Sequence, residues 1–493
     1  MKLTDYVSRI RPLRLGRGLL ALLIAVPAWA ADPNPNIVLP DFGDSAGSII
    51  SPQEEQRLGQ QFMRSLRQSV KIIDDPETDE YIQSLGYRLV AHADQQAYPY
   101  TFFVVEDKTV NAFAGPGGYV GVHSGLILSS DTESELASVL AHEIAHVTQH
   151  HLLRAVDQSN RLALPATAAL MAALILAGQN AQVGTAAMAA TLAGSQQAAI
   201  NFTRGHELEA DRIGLKILAG AGYDPRSMPT FFEQLQHANR FYENGAPEML
   251  RTHPVTTSRI ADTRNRAEQY PKIDSTDPLG YQLIRAKLRV LTAQDRQSAV
   301  SFFEKKLTDN PVVQQDAQRY GYALALLVTG QHGKAAEQIK LLLKKDPDRI
   351  QYRLAQGQLA SAKSDSNTAL KIYNDALQLY PRNYPLTAAY GRELLLAGQP
   401  IPARQLLQDY LRTREPRPLV YKLLAQAEND AGAPIESQLA LAEFAYLSGQ
   451  MQTAIDHLNQ ALNLTKKDDF YRASRIEARL KEIKRDAEQE IKP

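Results

Sequence analysis

The sequence predicts a mostly helical α+β domain with a small sheet, followed by an all-α solenoid. Three observations support this fold class. A stretch of the form H-E-x-x-H occupies 142–146, within apolar residues at helical spacing. Two short β-rich runs, Thr101–Val105 and Tyr119–Val122, precede it. From about Asp277 onward, small residues recur every 34 positions, a period typical of stacked helical repeats.

The H-E-x-x-H stretch indicates a metal-binding helix. His142 and His146 are four residues apart, so both imidazoles share a helix face and can point at one ion. Glu143 is then placed to act as general base on an attacking water. Ser130–Glu133 has the form of a capping box and predicts the start of this helix. The alternative is a helix whose histidines only cap or pack. Apolar residues at helical spacing instead place the motif within a buried helix: Leu136, Val139, Leu140, Ile144 and Val147.

A third ligand is expected from an acidic helix downstream. Glu207 and Asp211 are four residues apart and share a face, whereas Glu209 points elsewhere. Two histidines and one carboxylate suit zinc at a catalytic site with an open position. We therefore predict that Glu207 is the third ligand and that Asp211 orients a histidine or handles a proton. The alternative for the acidic cluster is a solvated helix start favoured by the helix dipole.

The pattern H-E-x-x-H followed by E-x-x-x-D resembles the gluzincin peptidase family that includes the CAAX prenyl proteases. The family implies a zincin-like metallopeptidase domain, endopeptidase activity and one Zn²⁺ per chain. The resemblance covers roughly 50–270, about half the chain, and five further segments carry it: Asn111–Ala114, Gly117-Gly118, Gly125–Ile127, Thr252–Pro254 and Ser258-Arg259.

The resemblance also implies roles for single residues. His142, His146 and Glu207 match the zinc ligands, and Glu143 matches the catalytic base. Asp211 matches the position usually assigned as proton donor.

Three more candidates depend mainly on the resemblance. His253 matches a histidine that takes the fourth zinc position and holds a related enzyme inactive, although a lone loop histidine is more often structural. Arg259 is a candidate substrate contact, with a structural ion pair as the alternative. Asn111 is a candidate substrate contact beside the zinc helix, where an edge strand can pair with an extended peptide. The Gly-rich stretch 115–121 lacks the pattern of a phosphate-binding loop.

Composition and the N-terminus set bounds on location. Lys plus Arg and Asp plus Glu balance at 54 each, so no basic surface indicates a nucleic-acid partner. The segment 1–30 has a basic start, a short apolar core and an A-x-A site, which predict a cleaved signal peptide and export. The family resemblance implies that the destination is the periplasm. Residues 31–50 form a predicted flexible lead-in, and 51–272 the peptidase domain. The chain has no cysteine, so its domains fold without disulfides.

An apolar, Ala-rich segment interrupts the peptidase domain. It comprises two runs, at 162–177 and 183–193, each short of the roughly 20 residues that a membrane span needs. We predict a helical hairpin that acts as a lid over the zinc cleft, with peripheral membrane contact as the alternative.

The region 278–493 is predicted to be a tetratricopeptide solenoid. The period of 34, with prolines near the unit ends, fits that repeat better than a generic bundle. After Ser437 the frame slips to Ala442 and Ala454, and Tyr471–Lys484 is a predicted cap. Two in-phase series of small residues carry the prediction: Ala323, Gly357, Gly391 and Ala425, and Ala335, Ala369, Ala403 and Ser437.

These predictions combine into an exported, zinc-dependent endopeptidase with a repeat domain whose concave face binds proteins. Resemblance of nearly the whole chain to periplasmic members of the family in Gram-negative bacteria implies the substrates and partners. These are unfolded or misassembled outer-membrane proteins and the β-barrel assembly machinery, with a chaperone-like role in assembly. The alternative is a chaperone or adaptor whose protease site is mostly silent. Proteolysis within a membrane is a third option.

Overall fold

Two helices begin the described chain, α1 (Pro52–Ser69) and α2 (Pro76–Val90). Each has proline in its first turn, where a missing N–H costs nothing, and each follows a polar cap. The side chains of Ser51 and Asp75 accept a hydrogen bond from the backbone N–H three residues on. The computed structural model describes residues 51–94, 99–158, 204–239, 248–273, 278–309, 315–466 and 468–491.

A three-stranded sheet follows, in the order β1-β3-β2. Strands β1 (Thr101–Val105) and β3 (Tyr119–His123) pair in parallel, and β2 (Ala112–Ala114) pairs antiparallel to β3. The predicted strands are confirmed. Gly121 lies opposite Phe113, and a Cβ at Gly121 would lie 2.3 Å from the Phe113 ring. The glycine therefore lets that ring lie across the sheet.

The central helix of the peptidase region is α4 (Glu133–Thr148), which is buried along its whole length. The predicted cap is wrong by two residues. Thr132, not Ser130, accepts the capping hydrogen bond from the backbone N–H of Glu135. The reason is that Ser130 closes the preceding helix α3 (Ser124–Ser129), because its hydroxyl donates to the carbonyl of Leu126.

Helix α4 is flanked by α5 (His151–Gln158) and α6 (Arg204–Gly220), and α6 packs against it closely. A Cβ at Gly214 of α6 would lie 3.2 Å from the backbone nitrogen of His142, so the glycine permits this approach. The region is completed by α7 (Ser227–Asn239), α8 (Glu248–Thr252) and α9 (Thr257–Ala267). The predicted hairpin at 162–193, the signal peptide at 1–30 and the lead-in at 31–50 lie outside the described residues.

The rest of the described chain is helical, and consecutive helices pack against each other in pairs. Two helices precede the repeats, α10 (Leu279–Leu291) and α11 (Arg296–Asp309). The paired helices are α12 (Gln315–Val328) and α13 (His332–Lys345), α14 (Ile350–Ala362) and α15 (Ser366–Leu379), α16 (Tyr384–Leu396) and α17 (Pro400–Thr413), and α18 (Pro418–Asp430) and α19 (Pro434–Leu447). Helices α20 (Met451–Leu464) and α21 (Phe470–Ile491) are the last two helices among the described residues.

The small residues of the predicted repeat are all buried. A Cβ at Gly357 would lie 2.3 Å from the ring of Tyr373, which belongs to the second helix of the same pair. Second helices begin at intervals of 34, at His332, Ser366, Pro400 and Pro434. The predicted solenoid is therefore confirmed, and its period arises from close helix crossings.

Buried polar contacts join α10 and α12 to the peptidase region. The ammonium of Lys287 in α10 contacts the Glu77 carboxylate and lies 2.8 Å from that of Asp75, at the start of α2. The Tyr320 hydroxyl of α12 donates to Glu77 over 3.1 Å. In the part of the chain that the structure describes, no helix is both long enough and apolar enough to cross a membrane.

Candidate metal and active site

Four buried side chains converge between α4, α6 and the segment that follows α8. His142, His146, Glu207 and His253 each offer one ligand atom, and all four atoms lie within 4.8 Å of one another. The Nε2 atoms of His142 and His146 are 3.0 Å apart, because one turn of α4 separates the two residues. The Glu207 carboxylate lies 3.5 Å from each of these nitrogens. Two imidazoles and a carboxylate at this spacing fit a divalent transition metal such as zinc.

His253 occupies the remaining side of the cluster. Its Nδ1 lies 3.4 Å from Nε2 of His142 and 3.0 Å from Oε1 of Glu207. The backbone N–H of His253 donates to the carbonyl of Met249, so α8 sets its position. The structure thus brings His253 to the place where a fourth ligand would bind.

Glu143 lies beside the cluster on α4 and is 1% exposed. Its Oε1 has no hydrogen-bond partner among the described residues, and Nε2 of His253 lies 3.6 Å away. A buried carboxylate oxygen without a partner is costly, so it is expected to face a group that the protein itself does not supply. A water at the metal would satisfy this oxygen.

Behind the ligands, Asp211 and Arg259 form a second layer. Nδ1 of His142 lies 3.0 Å from Oδ1 of Asp211, which holds the ring with Nε2 towards the cluster. Arg259 donates two hydrogen bonds to Asp211 and a third, of 2.9 Å, to the carbonyl of Pro254. This geometry supports the orienting role predicted for Asp211, and its role as proton donor stays a prediction.

The electrostatics of the site keep its carboxylates ionised and His146 neutral. Burial lowers the pKa of His142, but hydrogen bonds to Asp211 and Glu207 outweigh it and raise that pKa to about 9, so His142 must release a proton when a metal binds. Burial opposes ionisation of Glu207, but the charge of His253 and hydrogen bonds from His142 and His253 hold the pKa of Glu207 well below its ordinary value. For Asp211, burial is likewise outweighed by Arg259 and His142, which lower its pKa. Burial and the nearby charge of His142 lower the pKa of His146. Ionised carboxylates and a neutral imidazole are the forms that coordinate a metal.

The two candidate substrate contacts are both buried. Arg259 is 1% exposed and is engaged by Asp211 and Glu207, so the geometry favours the ion-pair alternative. Asn111, directly before β2, is 2% exposed, and its Oδ1 has no hydrogen-bond partner among the described residues. Its contact with substrate stays a prediction.

One neighbour of the site was not predicted from the sequence. His151 lies against His146, with their Nδ1 atoms 2.9 Å apart. An i, i+5 pair does not share a face of a continuous helix, so periodicity gives no signal for this contact.

The fold and the site together define a metallopeptidase, and the family model of Peptidase family M48 matches residues 76–267. The chain is 38% identical over 469 residues to the putative beta-barrel assembly-enhancing protease of Vibrio cholerae serotype O1, covering 95% of this chain and 96% of that protein. It is 36% identical over 487 residues to the beta-barrel assembly-enhancing protease of Escherichia coli K12, covering 97% and 99%. The chain therefore belongs to the beta-barrel assembly-enhancing proteases of peptidase family M48.

More distant similarity reaches part of the chain. The mitochondrial metalloendopeptidase OMA1 of Schizosaccharomyces pombe is 30% identical over 183 residues, covering 37% of this chain and 51% of that protein. A solved tetratricopeptide-repeat protein from Thermus thermophilus covers 42% of the chain at 21% identity, with a TM-score of 0.24. That score is too low for argument, so the repeat assignment depends on the helix pairs themselves.

Family membership confirms the predicted enzyme class and the α+β fold of the first domain. It also implies a divalent metal, for which the histidines and Glu207 are a candidate site. It does not favour the alternative of an adaptor with a silent protease site.

Proposed function

We propose that this chain is a zinc-dependent endopeptidase of the Gram-negative periplasm. It degrades misfolded or stalled outer-membrane β-barrel proteins and assists the assembly of others. The observation that carries the enzymatic part is the convergence of His142, His146 and Glu207 beside a buried Glu143 whose Oε1 has no hydrogen-bond partner among the described residues. The names of the relatives support the substrate class.

His142, His146 and Glu207 would hold the zinc. Bound there, zinc would polarise the scissile carbonyl and acidify the attacking water. Glu143 takes the proton from that water and passes it to the leaving amine, which a carboxylate can do when it lies within hydrogen-bond reach of both. Asp211 keeps the His142 ring oriented while the proton moves.

Substrate binding is proposed to use the edge of the small sheet. Strand β2 pairs with β3 on one side only, and no strand pairs with its other side among the described residues. It also packs against α4, which carries the zinc ligands. An extended peptide that pairs with this edge would run beside the cluster, and main-chain pairing accepts unfolded chains of many sequences. Asn111, at the start of the edge, is the candidate contact.

At rest, His253 is proposed to fill the fourth metal position and keep the enzyme inactive. Its Nδ1 already lies within 3.4 Å of His142 and 3.0 Å of Glu207. Arg259 donates a hydrogen bond to the carbonyl of Pro254, the residue after His253. The position of His253 is therefore coupled to the guanidinium that also holds Asp211 and Glu207. Activation then requires movement of the 252–254 segment.

The remaining proposals concern location and partners. We infer cleavage of a signal peptide after Ala30, a peptidase domain at 51–272 and a repeat domain at 278–493. The repeat domain would dock on the β-barrel assembly machinery, since stacked helix pairs provide extended surfaces for proteins. The segment 162–193 would serve as the lid of the cleft or would touch the membrane peripherally.

The test compares the purified mature chain, starting at Ala31, with Glu143→Gln and with Glu268→Gln. Glu268 is an exposed residue of the same domain and serves as the matched control. With zinc added, wild type and Glu268→Gln should cleave an unfolded outer-membrane β-barrel protein, and Glu143→Gln should not. If Glu143→Gln fails to cleave but still restores barrel assembly in cells that lack the protein, the silent-adaptor alternative is the better reading. If wild type cleaves folded and unfolded barrels at equal rates, the proposed substrate class is wrong.

A further inference from the structure

His151 links the metal cluster to a carboxylate that the proposed mechanism does not use. Its Nδ1 lies 2.9 Å from Nδ1 of His146, on the side of that ring that faces away from the cluster. Its Nε2 lies 3.1 Å from Oε2 of Glu209. His151 is fully buried, and each of its ring nitrogens lies within hydrogen-bond distance of a protein group.

A strained turn brings His151 into this position. In a continuous helix, residue i+5 would be rotated by about 140° from His146 and could not face it. Helix α4 instead ends at Thr148 with Gln149 as its cap, and His150 has a φ of 50°, in the left-handed region that non-glycine residues rarely adopt. The chain then restarts as α5 and returns the His151 ring to His146. Such strain often marks a functional constraint.

The hydrogen-bond chain has one consistent assignment of protons. An ionised Glu209 only accepts, so Nε2 of His151 carries the proton. The Nδ1 of a neutral His151 is then an acceptor, and it receives the N–H of Nδ1 of His146. This leaves the lone pair of His146 on Nε2, the nitrogen that lies 3.0 Å from His142 in the cluster.

The surroundings hold His151 and Glu209 in place. The His206 ring stacks on His151 with centroids 4.4 Å apart and planes 16° apart. The guanidinium of Arg154 lies 3.6 Å from Glu209. Glu209 belongs to α6, the same helix that carries Glu207 and Asp211. Helix α6 therefore supplies the proposed ligand Glu207 and two further carboxylates. Asp211 contacts His142 directly, and Glu209 reaches His146 through His151.

We propose that His151 and Glu209 are positioning residues for the metal centre, holding His146 in the tautomer and orientation that present Nε2 to the metal. The proposal rests on the proposed metal site. In this proposal Glu209 is the carboxylate partner of His146 and acts through the imidazole of His151. His142, in contrast, contacts its carboxylate partner Asp211 directly. Loss of such partners typically weakens metal binding about 10- to 100-fold.

The test uses a matched pair of similar size, His151→Asn and His151→Leu. The side-chain oxygen of asparagine occupies the place of the histidine Nδ1 and can accept a hydrogen bond from the N–H of His146. Leucine has no atom that can accept it. The dissociation constant for zinc is measured by competition with a chromogenic chelator, on the full mature chain. The visible spectrum of the cobalt-substituted protein reports the geometry, and the Tm of the metal-free protein reports folding.

The expected result is about 10- to 100-fold weaker zinc binding and an altered cobalt spectrum in His151→Leu. His151→Asn should stay within a few-fold of wild type, and Glu209→Ala should weaken binding by less than His151→Leu. Glu209 is 35% exposed at its side chain, so this variant folds even if His151→Leu does not. The control is His237→Leu, an exposed position on α7, which should bind zinc like wild type.

Different failures identify different errors. If wild type binds no zinc, the proposed metal site is wrong. If wild type binds zinc and all three variants bind equally tightly, the positioning role is overturned while the metal site stands. Equal weakening in His151→Asn and His151→Leu also overturns the proposal, because the acceptor atom would then be irrelevant. So does a lower metal-free Tm with unchanged affinity, which indicates a structural role alone.

Discussion

Two hydrogen bonds of 2.7 Å join the guanidinium of Arg259 to the carboxylate of Asp211. The third nitrogen of Arg259, Nη1, lies 2.7 Å from Oε2 of Glu207. One cation from α9 thus fixes both acidic residues that α6 brings to the cluster, and through Asp211 it fixes His142. The planar guanidinium suits this double contact, which the single ammonium of lysine cannot reproduce.

Replacing Arg259 by methionine keeps most of the side-chain volume and removes the charge. Asp211 and Glu207 would then be buried without their partner, and breaking a buried pair in this way costs about 3–5 kcal/mol of unfolding free energy. Denaturant unfolding of the metal-free protein measures the loss.

The control for Arg259 is Arg266→Met on the same helix. Arg266 pairs with Asp262 at the surface, with the two side chains 42% and 34% exposed, so its loss should change the stability by less than about 1 kcal/mol. Equal effects of the two substitutions would contradict the role of Arg259.

Replacing His253 by alanine should raise the rate of cleavage, because the fourth metal position is then open to water and substrate. The expected change is in kcat, measured as initial rates on an unfolded protein with zinc in excess. His237→Ala serves as the control and should leave the rate unchanged, since His237 is exposed on α7. A His253→Ala variant that binds zinc normally and is no faster than wild type would refute the inhibitory role.

In the repeat domain, two glycines at equivalent positions should respond differently to alanine. In Gly357→Ala the new Cβ would lie 2.3 Å from the ring of Tyr373, a clash expected to cost about 1–3 kcal/mol. In Gly391→Ala the nearest atom is the end of the Leu407 side chain at 3.1 Å, which can move. The better helix propensity of alanine, worth up to about 1 kcal/mol, should then leave Gly391→Ala near neutral. Thermal unfolding compares the two variants, and equal losses would count against the crossing geometry.

The stability of the contact between the domains should depend on pH through Asp79 of α2. Burial and the nearby charge of Asp74 raise the pKa of Asp79 to about 7, although Arg417 of the repeat domain lowers it in part. The unfolded value is about 3.9, so between roughly pH 4 and 7 the folded protein keeps a proton that the unfolded chain has lost. This contribution to stability is therefore present at pH 4, is lost as the pH rises through 7, and stays lost above it. The groups that surround Asp79 are Arg67, Asp74, Asp75, Tyr384 and Arg417.

Asp79→Asn removes this pH dependence. Metal-free Asp79→Asn should be more stable than wild type at pH 8, by at most about 4 kcal/mol for a shift of three pKa units, and close to wild type at pH 4. Glu80→Gln, at an exposed position of the same helix, should change neither value. A stability difference between Asp79→Asn and wild type that is the same at both pH values would show that the carboxyl does not titrate in this range.

Sequence periodicity predicted the parts of the fold in which the spacing of residues along the chain determines which side chains meet. Residues four apart on one helix face brought His142 and His146 together, and the same rule placed Glu207 beside Asp211. The period of 34 located the helix crossings of the solenoid because each crossing needs a small residue. The family resemblance added His253, which no spacing rule connects to α4.

The parts that were not predicted depend on contacts between distant segments or on a single strained dihedral angle. The start of α4 moved to Thr132 because Ser130 was already engaged by the helix before it. His151 reached His146 only through the left-handed turn at His150. Lys287 lies 210 residues from its partner Glu77, and sequence alone gave no sign that this lysine would be buried.

The central claim is that His142, His146 and Glu207 bind a catalytic zinc that works with Glu143. The most direct test is zinc-edge X-ray absorption combined with a cleavage assay on the mature chain and on Glu143→Gln. The account predicts one zinc per chain with nitrogen and oxygen ligands at about 2.0–2.2 Å in both proteins, and cleavage by wild type alone. Cleavage by Glu143→Gln at the wild-type rate, or a wild-type chain that cleaves without zinc, would contradict it.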